Sequence, residues 1–440
     1  MRRAADRVMG ALGGLLIRIF FREVEVEGAE RLAPDVPTVL VANHLNGLVD
    51  GLLLMAMLRR FPRFLGKSTL FKIAPLWPLL KLAGVVPVYR AKDGLATTRN
   101  DSTFGTCRRM LARGGVVALF PEGISHDEPE LQPLKTGAAR IALGAAVDEG
   151  TEGVVVQPVG IVYDEKARFR SVALVRVGEP LDVSGWAERY RADDHRAVRD
   201  LTDEIAAALA VLSPAYQSWT AAWTFRQIAD VMARTPDTLT PRAVALSERD
   251  ELARALATAE ASRGSEAGRS LRAAYARYSE DLEVVGLSDA QLSASYRGWW
   301  VRVLFVWTVV KIVIGGPFAL AGAIIHLVPY QIIKQVAKRP TNEGMKATVK
   351  LLSCVAAFSM LYGGFGVAVA VRFGTWEGFV AGLGSTACGY VTVRFSERAK
   401  RLGGALAGYR KARRASVPGL REHRGAVVEE GRLLLAPPMS

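Results

Sequence analysis

The stretch NHLNGLVD (43–50) joins the apolar run TVLVA (38–42) to the apolar run GLLLMAM (51–57). The first run is typical of a buried strand and the second of a helix. His44 and Asp50 are therefore expected at the rim of a sheet, where active sites concentrate. A neutral imidazole can take a proton from an alcohol, and a neighbouring carboxylate can orient it. Because a single histidine near a single aspartate is common, the stretch could otherwise mark only a turn.

The residues around this stretch alternate between strand patterns and helix patterns. Apolar, β-rich runs occur at 38–43, 85–90, 116–120, 154–163 and 172–178, and helical patterns occur at 47–59, 70–83, 97–113 and 136–147. This alternation predicts an α/β domain over 24–194, with a mixed sheet covered by helices. Residues 195–298 are rich in Ala, Arg, Glu and Asp, and they predict a helical region without a catalytic motif.

The first 23 residues predict an amphipathic helix. Arg7, Arg18 and Arg22 fall on one narrow helical face, and apolar side chains fall on the opposite face. This pattern is typical of a helix that lies in a membrane interface, although a helix packed on the domain shows a similar pattern. A signal peptide is disfavoured, because Arg18 interrupts the apolar segment and no A-x-A cleavage site follows.

The last third of the chain predicts a membrane domain over 299–395. Its charge-free runs favour spans at 351–371 and 377–393, with a hairpin or re-entrant segment at 299–330. A basic tail follows at 396–440. Because the loop near 334–350 and the tail are rich in Lys and Arg, both are expected in the cytoplasm, together with the front of the chain. The net charge of +14 favours anionic membrane lipids as partners over nucleic acid, since no basic run carries interleaved aromatic residues.

Further polar residues follow other predicted strands. Glu122 lies in FPEGISHD (120–127), and Lys67 and Ser68 lie in GKSTLFK (66–72). Arg90 lies in VPVYRAKD (86–93). Several strand ends that offer a base, an acid and cations indicate a site for a phosphorylated alcohol. Cys107, Cys354 and Cys388 have no metal-ligand spacing, and they favour a reducing compartment over a disulfide framework. No motif of the sequence implies a metal or an organic cofactor.

Four segments in order resemble the glycerolipid acyltransferases. They are NHLNGLVD, the stretch 66–93, the stretch FPEGISHDEPELQPLKTGAARIALG (120–144) and VQPVGIVY (156–163), and the likeness covers about residues 35–180. The resemblance implies a membrane enzyme that moves an acyl chain from acyl-CoA, or acyl carrier protein, to glycerol phosphate or lysophosphatidate. Two features depart from the common pattern: five residues rather than four separate His44 from Asp50, and ISHD follows FPEG. Both resemble the fungal-type glycerol-3-phosphate/dihydroxyacetone-phosphate acyltransferases, which favours glycerol phosphate as the acceptor.

The resemblance also implies roles for individual residues. His44 would be the general base, and Asp50 would orient it. The proposed substrate-binding residues are Lys67, Ser68 and Arg90 for the phosphate, Glu122 and Gly123 for the substrate, Ser125 and His126 for the glycerol end, Lys135 and Gly137 for the loop below, and Pro158 for the acyl side. Glu122 could instead pair with Arg90, and Ser125 and His126 could instead cap a turn.

Other classes of protein fit less well. Acylation of lysophosphatidate is the nearest alternative. A metal-dependent phosphohydrolase would need more histidines at ligand spacing, and a serine hydrolase would need G-x-S-x-G, which GISHD lacks. A non-enzymatic membrane scaffold would make His44 and Asp50 dispensable.

Overall fold

The computed structural model of the 440-residue chain describes residues 2–33, 35–58, 60–72, 77–89, 100–235, 243–264, 266–294, 298–338, 343–412 and 417–437. Arg90 lies outside these residues. The chain divides into two compact units. The first contains Met1–Ser218 with Pro340–Thr348, and the second contains Trp219–Arg339 with Val349–Ser440.

An eight-stranded mixed sheet forms the first unit, as the alternating pattern predicts. Its strands are β1 (Phe21–Glu27), β2 (Thr38–Ala42), β3 (Arg63–Lys67), β4 (Val86–Val88), β5 (Val116–Leu119), β6 (Val155–Tyr163), β7 (Ser171–Val177) and β8 (Leu181–Asp182). The order is β1-β7-β6-β2-β5-β3-β4, and β8 also pairs with β6. The β6–β7 and β6–β8 pairs are antiparallel and the other pairs are parallel.

Seven helices of the first unit are described: α1 (Arg2–Phe20), α2 (Leu48–Met57), α3 (Trp77–Leu82), α4 (Asn100–Leu111), α5 (Gly137–Val147), α6 (Ala187–Ala192) and α7 (Asp194–Leu212). Apolar faces of α4, α5 and α7 join β2, β5 and β6 in one buried core. Helix α7 packs on β6 and α5, so the first unit extends to Ser218 rather than ending at the expected residue 194. Burial of its apolar face in this core stabilises α7.

The parallel strands bring the predicted site residues to one edge of the sheet. Val41 pairs with Leu119 in the β2–β5 register, and Lys67 pairs with Val88 in the β3–β4 register. The segments that follow β2, β5 and β3 therefore leave the sheet side by side. His44, Glu122 and Ser68 lie in those three segments, which is the arrangement that strand ends of a parallel sheet give.

The second unit contains a helical bundle. It comprises α8 (Trp219–Ala233), α9 (Leu246–Arg263), α10 (Arg269–Val285), α11 (Asp289–Leu292) and the last helix, α15 (Val417–Leu435). Helix α15 packs against α8, α9 and α10, so the segment expected as a basic tail, 396–440, contains a packed helix. Its amphipathic sequence explains the packing, because apolar residues such as Leu420 and Val427 are buried.

Three long helices carry the apolar sequence of the last third: α12 (Gly298–Val336), α13 (Glu343–Phe373) and α14 (Thr375–Ala412). Among the described residues, Val306–Val336 and Lys346–Phe373 are long and apolar enough to cross a membrane. The segment 299–330, which was expected to form a hairpin or a re-entrant segment, is instead part of one continuous helix. This helix contains Pro317 and Pro329. Proline and glycine are tolerated inside such helices when neighbouring helices pack closely.

Small residues allow this close packing. A Cβ atom on Gly322 would lie 2.6 Å from the carbonyl oxygen of Cys388, and one on Gly389 would lie 2.6 Å from His326 Nε2. Helices α12 and α14 therefore approach through their backbones, as membrane helices commonly do. His326 also bonds the Tyr362 hydroxyl at 2.7 Å from Nε2, which links α12 to α13.

Candidate active site

The expected pair of His44 and Asp50 is formed. His44 Nδ1 lies 2.9 Å from Asp50 Oδ2. Asp50 is wholly buried, whereas the side chain of His44 is 16% exposed. Because Nδ1 faces a carboxylate, it carries the hydrogen, and Nε2 is the nitrogen that can accept a proton. No hydrogen bond to Nε2 occurs within the described part of the chain.

The extra residue between His44 and Asp50 is taken up by a tight turn. The Val49 amide donates to the Asn46 carbonyl at 3.0 Å, and Gly47 has φ 51° and ψ −125°. Only glycine adopts this conformation at low cost. The turn places Asp50 in the first turn of α2, where Oδ2 also accepts from the Asn46 amide at 2.7 Å. This bond resembles the carboxylate half of a capping box.

The segment after β5 holds His44 from two further directions. The imidazole stacks on Phe120 with ring centroids 4.0 Å apart and 9° between the ring planes. The backbone amide of His44 donates to Glu122 Oε1 at 2.7 Å, and its carbonyl accepts from the His126 amide at 3.1 Å. His44 is therefore fixed by its ring face and by both of its backbone polar groups.

Glu122 is a buried anchor for this segment. Besides the His44 amide, its carboxylate accepts from the Gln132 amide at 2.9 Å and bonds His126 Nε2. His126 Nδ1 in turn accepts from the Glu128 amide at 3.1 Å. These contacts favour a bracing role for Glu122 and His126. The alternative ion pair of Glu122 with Arg90 lies outside the described residues.

Ser125 also braces the turn before α2. Its hydroxyl accepts from the Gly47 amide at 3.1 Å, so the third resembling segment supports the longer first segment directly. This contact agrees with the turn-capping interpretation of Ser125. The two departures from the common pattern, the fifth intervening residue and the ISHD sequence, thus occur at one point in space.

Two of the residues predicted to bind phosphate, Lys67 and Ser68, lie at the same edge of the sheet, at the end of β3. Lys67 ends β3, and Ser68 begins the short 3-10 helix Ser68–Lys72. The Ser68 hydroxyl is buried and has no hydrogen-bond partner among the described residues. Lys135 lies against Gly123, where a Cβ atom would be 2.7 Å from Nζ. An unpaired buried hydroxyl is costly without a partner, so this edge suits a polar ligand.

Two other predicted residues have mainly structural surroundings. Gly137 begins α5, and a Cβ atom there would contact Phe104 at 3.7 Å. Pro158 is buried in β6 and lies opposite Val41 of β2. Its carbonyl accepts from the Gly178 amide at 2.9 Å, so the structure does not bring Pro158 together with the residues around His44 by any of these contacts.

Sequence reasoning missed several residues that contact the pair or the segments around it. The Tyr163 hydroxyl donates to Asp50 Oδ1, and Phe120 stacks on His44. Lys166 Nζ contacts the Leu45 carbonyl at 3.4 Å and pairs with Asp127. Tyr163 had a usable signal, because it is the last residue of a strand parallel to β2 and ends at the same edge as His44.

The electrostatics of the pair keep Tyr163 as a donor. Burial first, and then the negative charge of Asp50, raises the pKa of the Tyr163 hydroxyl well above its ordinary value. The hydroxyl therefore stays protonated, and its hydrogen points to the carboxylate. Among the described residues, no group of three or more His, Cys, Asp or Glu side chains could hold a metal ion.

Comparison with known proteins defines the class. Residues 23–162 match the family model described as Acyltransferase. Over these residues the chain matches an acyltransferase domain, and the resemblance inferred from its four sequence segments is confirmed.

Three relatives extend this result. The chain is 27% identical over 297 residues to an uncharacterized acyltransferase of Schizosaccharomyces pombe, covering 46% of this chain and 44% of the relative. It is 40% identical over 111 residues to glycerol-3-phosphate O-acyltransferase 2 of Saccharomyces cerevisiae, covering 25% and 15%. It is 29% identical over 163 residues to 1-acyl-sn-glycerol-3-phosphate acyltransferase beta of Homo sapiens, covering 37% and 56%. The matched parts thus span 44%, 15% and 56% of these relatives' own lengths, which is less than two thirds in each case.

Proposed function

We propose that the protein moves an acyl chain from acyl-CoA, or acyl carrier protein, to a hydroxyl of glycerol-3-phosphate or dihydroxyacetone phosphate in phospholipid biosynthesis. One observation carries this proposal: a fixed His44–Asp50 pair whose Nε2 is not engaged, beside a strand end with Lys67 and Ser68. Matches to glycerol-3-phosphate O-acyltransferases support the choice of acceptor.

In the proposed reaction, His44 Nε2 takes the proton from the acceptor hydroxyl as the oxygen attacks the thioester carbonyl. Asp50 stabilises the imidazolium that forms. The tetrahedral intermediate then collapses, the carbon–sulfur bond breaks, and the imidazolium gives its proton to the leaving thiolate. The acyl chain passes directly to the acceptor, so no covalent enzyme intermediate forms and neither a metal nor an organic cofactor is needed.

The phosphate of the acceptor would lie at the ends of β3 and β4. Lys67, Ser68 and Arg90 would bind it, because cations and a hydroxyl are suited to a phosphate dianion. Gly123 and Lys135 would border the same cleft, with Ser125 and His126 at the glycerol end. The buried Ser68 hydroxyl supports this assignment.

The membrane is proposed as the second partner, through α1 as well as the spans. Helix α1 buries Ile17 and Phe20, and it exposes an apolar stripe on its other side. The stripe consists of Val8, Leu12, Leu15 and Ile19. Flanking arginines make such a helix suitable for an anionic bilayer surface. No nucleic acid is expected to bind.

The catalytic domain is proposed to face the cytoplasm. Helices α12 and α14 are antiparallel, since Gly315 lies near Phe395 while Gly322 lies near Cys388. Gln291 Nε2 donates to the Gly404 carbonyl at 2.6 Å, so the basic half of α14 lies at the same end as the residues before α12. The excess of Lys and Arg in that half favours the cytoplasmic side for this end. Because α12 is one continuous helix, a crossing by α12 then puts Lys334 and Lys338 on the opposite side, contrary to the expectation that the loop 334–350 is also cytoplasmic.

Acyl transfer by purified protein in detergent tests the function. Glycerol-3-phosphate, dihydroxyacetone phosphate and lysophosphatidate are supplied in parallel, each with acyl-CoA and with acyl carrier protein. We expect turnover of a glycerol phosphate acceptor, and turnover of lysophosphatidate alone would instead establish the alternative, for which the human relative is the support.

The same assay tests His44 and excludes a scaffold. His44→Ala should lose turnover while retaining its fold, whereas His195→Ala, at an exposed histidine of α7, should keep it. Activity retained in His44→Ala would refute the base assignment. No turnover with any acceptor would favour a non-enzymatic scaffold.

A further inference from the structure

Asp50 has a third partner that comes from β6, the strand next to β2 in the sheet. Its Oδ2 atom accepts from His44 and from the Asn46 amide, whereas Oδ1 accepts from the Tyr163 hydroxyl. Tyr163 lies 113 positions further along the chain, at the end of β6. Each oxygen of the Asp50 carboxylate therefore accepts a hydrogen bond from a donor other than His44. Oδ2 accepts from the Asn46 amide, and Oδ1 accepts from the Tyr163 hydroxyl.

The position of Tyr163 is itself well defined. Its ring stacks on Phe21 with centroids 5.7 Å apart and 18° between the planes, and its residue pairs with Ala173 of β7. Asn43 ties the same strand to the start of the catalytic stretch, since its amide group exchanges bonds of 3.0 and 2.7 Å with the backbone of Ile161. The hydroxyl is thus fixed relative to the backbone of His44.

We propose that Tyr163 is a positioning residue for acyl transfer, which acts by holding Asp50 so that Oδ2 faces His44 Nδ1. This proposal rests on the function proposed above, in which His44 is the base. The terminal torsion of an aspartate is broad and two-fold, so a carboxylate with donors on one oxygen only could rotate. A donor on the other oxygen removes that freedom.

The hydroxyl also adjusts how strongly Asp50 favours a protonated His44. Each hydrogen bond that a carboxylate accepts stabilises its negative charge and leaves less of it for the imidazolium. Other charged groups around the pair are already engaged: Glu122 bonds the His44 amide and His126, and Lys166 pairs with Asp127. Removal of the Tyr163 hydroxyl should therefore strengthen the attraction between the Asp50 carboxylate and a positively charged His44 ring.

The test is Tyr163→Phe in the detergent-purified full chain, with the acceptor that the wild type uses. We expect kcat to fall about tenfold or more, because small displacements at a catalytic base are costly. The KM values of acceptor and donor should change much less. The acidic limb of the kcat/KM profile should move to higher pH by about half a unit. Tyr190→Phe on α6, a residue outside this cluster, is the matched control and should leave the profile in place.

A double variant separates positioning from folding. If Tyr163 acts through Asp50, Tyr163→Phe should cost little in an Asp50→Asn background, because residues that act as one unit are not additive. An unmoved acidic limb, or a full additional loss in that background, would overturn the proposal. If His44→Ala keeps its rate, the base assignment and the role of Tyr163 both fall, whereas an inactive His44→Ala with an unmoved limb removes Tyr163 alone.

A second substitution guards against a variant that does not fold. Replacement of Tyr163 by 3-fluorotyrosine keeps the ring and the hydroxyl but makes the hydroxyl a stronger donor. The acidic limb should then move to lower pH, opposite to the phenylalanine variant. A limb that moves in the other direction, or not at all, would contradict the proposal.

Discussion

Substitution of Gly47 by alanine should damage the active site through the backbone alone. Gly47 has φ 51° and ψ −125° at the start of α2, a conformation that a residue with a Cβ atom adopts at a cost of about 1–3 kcal/mol. Its amide bonds the Ser125 hydroxyl, and the turn it forms sets the distance between His44 and Asp50. The strain must either lower stability or be relieved by movement of the turn.

The two outcomes have different magnitudes. If the turn keeps its conformation, a loss of about 1–3 kcal/mol corresponds to a fall in Tm of about 2–10 °C for a unit of this size. If the turn relaxes, the loss of stability is smaller but Asp50 moves away from His44 Nδ1, and a shift near 1 Å can cost about a hundredfold in kcat. A combined fall in Tm and kcat is therefore expected.

Gly51→Ala is the matched control on the same helix. A Cβ atom on Gly51 would make an ordinary contact of 3.7 Å with Phe64, and alanine is favoured over glycine inside a helix by about 0.5–1 kcal/mol. This variant should therefore keep its activity and gain stability. Thermal unfolding followed by circular dichroism and the acyl-transfer assay measure both variants. Wild-type kcat and Tm in Gly47→Ala would refute the account of the turn.

Three further changes test other parts of the structure. Glu122→Gln should lower kcat about tenfold with little change in KM, because the carboxylate braces backbone groups; a rise in the acceptor KM alone would assign it to substrate binding. Asp289→Ala should destabilise the helical bundle by about 1–3 kcal/mol in guanidinium unfolding, since it removes a carboxylate that Arg234 and Arg424 share while Arg234 keeps Asp230; an unchanged unfolding free energy would contradict the network. Burial raises the pKa of the Cys107 thiol to about 12 from 9.0, so alkylation of this thiol at about pH 8.5 should require unfolding. The stability that comes from the neutral thiol is fully present below about pH 9 and should be lost between about pH 9 and 12. Rapid labelling of Cys107 in the folded protein would contradict this.

Most of the sheet could be predicted because its central strands are continuous apolar runs. Strands β2, β5, β6 and β7 lie within about one residue of the predicted runs. Strand β1 was not predicted, because the start of its sequence was assigned to the helix over the first 23 residues. Its sequence FREVEVE alternates apolar and charged residues, which is the pattern of an edge strand with one solvated face. Strand β3 has the sequence RFLGK, and its short, partly charged pattern gives no periodic signal.

The membrane helices show a different limit. The pair of glycines before Pro317 suggested a reversal of the chain, since these residues mark turns in water-exposed segments. In the structure the same residues lie inside α12. Further along α12, the absence of a side chain at Gly322 allows α14 to approach closely. Local propensity is thus overridden by packing between helices, which residue patterns along one segment do not contain.

The catalytic pair was accessible to sequence reasoning because both members lie in one short stretch. The contacts that make it a fixed pair come from two distant segments: Phe120 and Glu122 lie after β5, and Tyr163 lies at the end of β6. Their relevance depends on strand order, with β2 between β5 and β6. Sequence spacing alone does not give that order, so the supporting residues could not be assigned with the pair.

The two buried histidine–carboxylate pairs of this domain show why only one is suited to proton transfer. His126 has both ring nitrogens engaged, because Nε2 bonds Glu122 and Nδ1 accepts from the Glu128 amide. A substrate hydroxyl would have to displace one of these bonds before it could give up a proton. His44 has its carboxylate on Nδ1 and its ring face on Phe120, so Nε2 can accept a proton without breaking any internal bond. The difference lies in which ring nitrogen is already engaged, and it favours His44 as the proposed base and His126 as a residue that supports it.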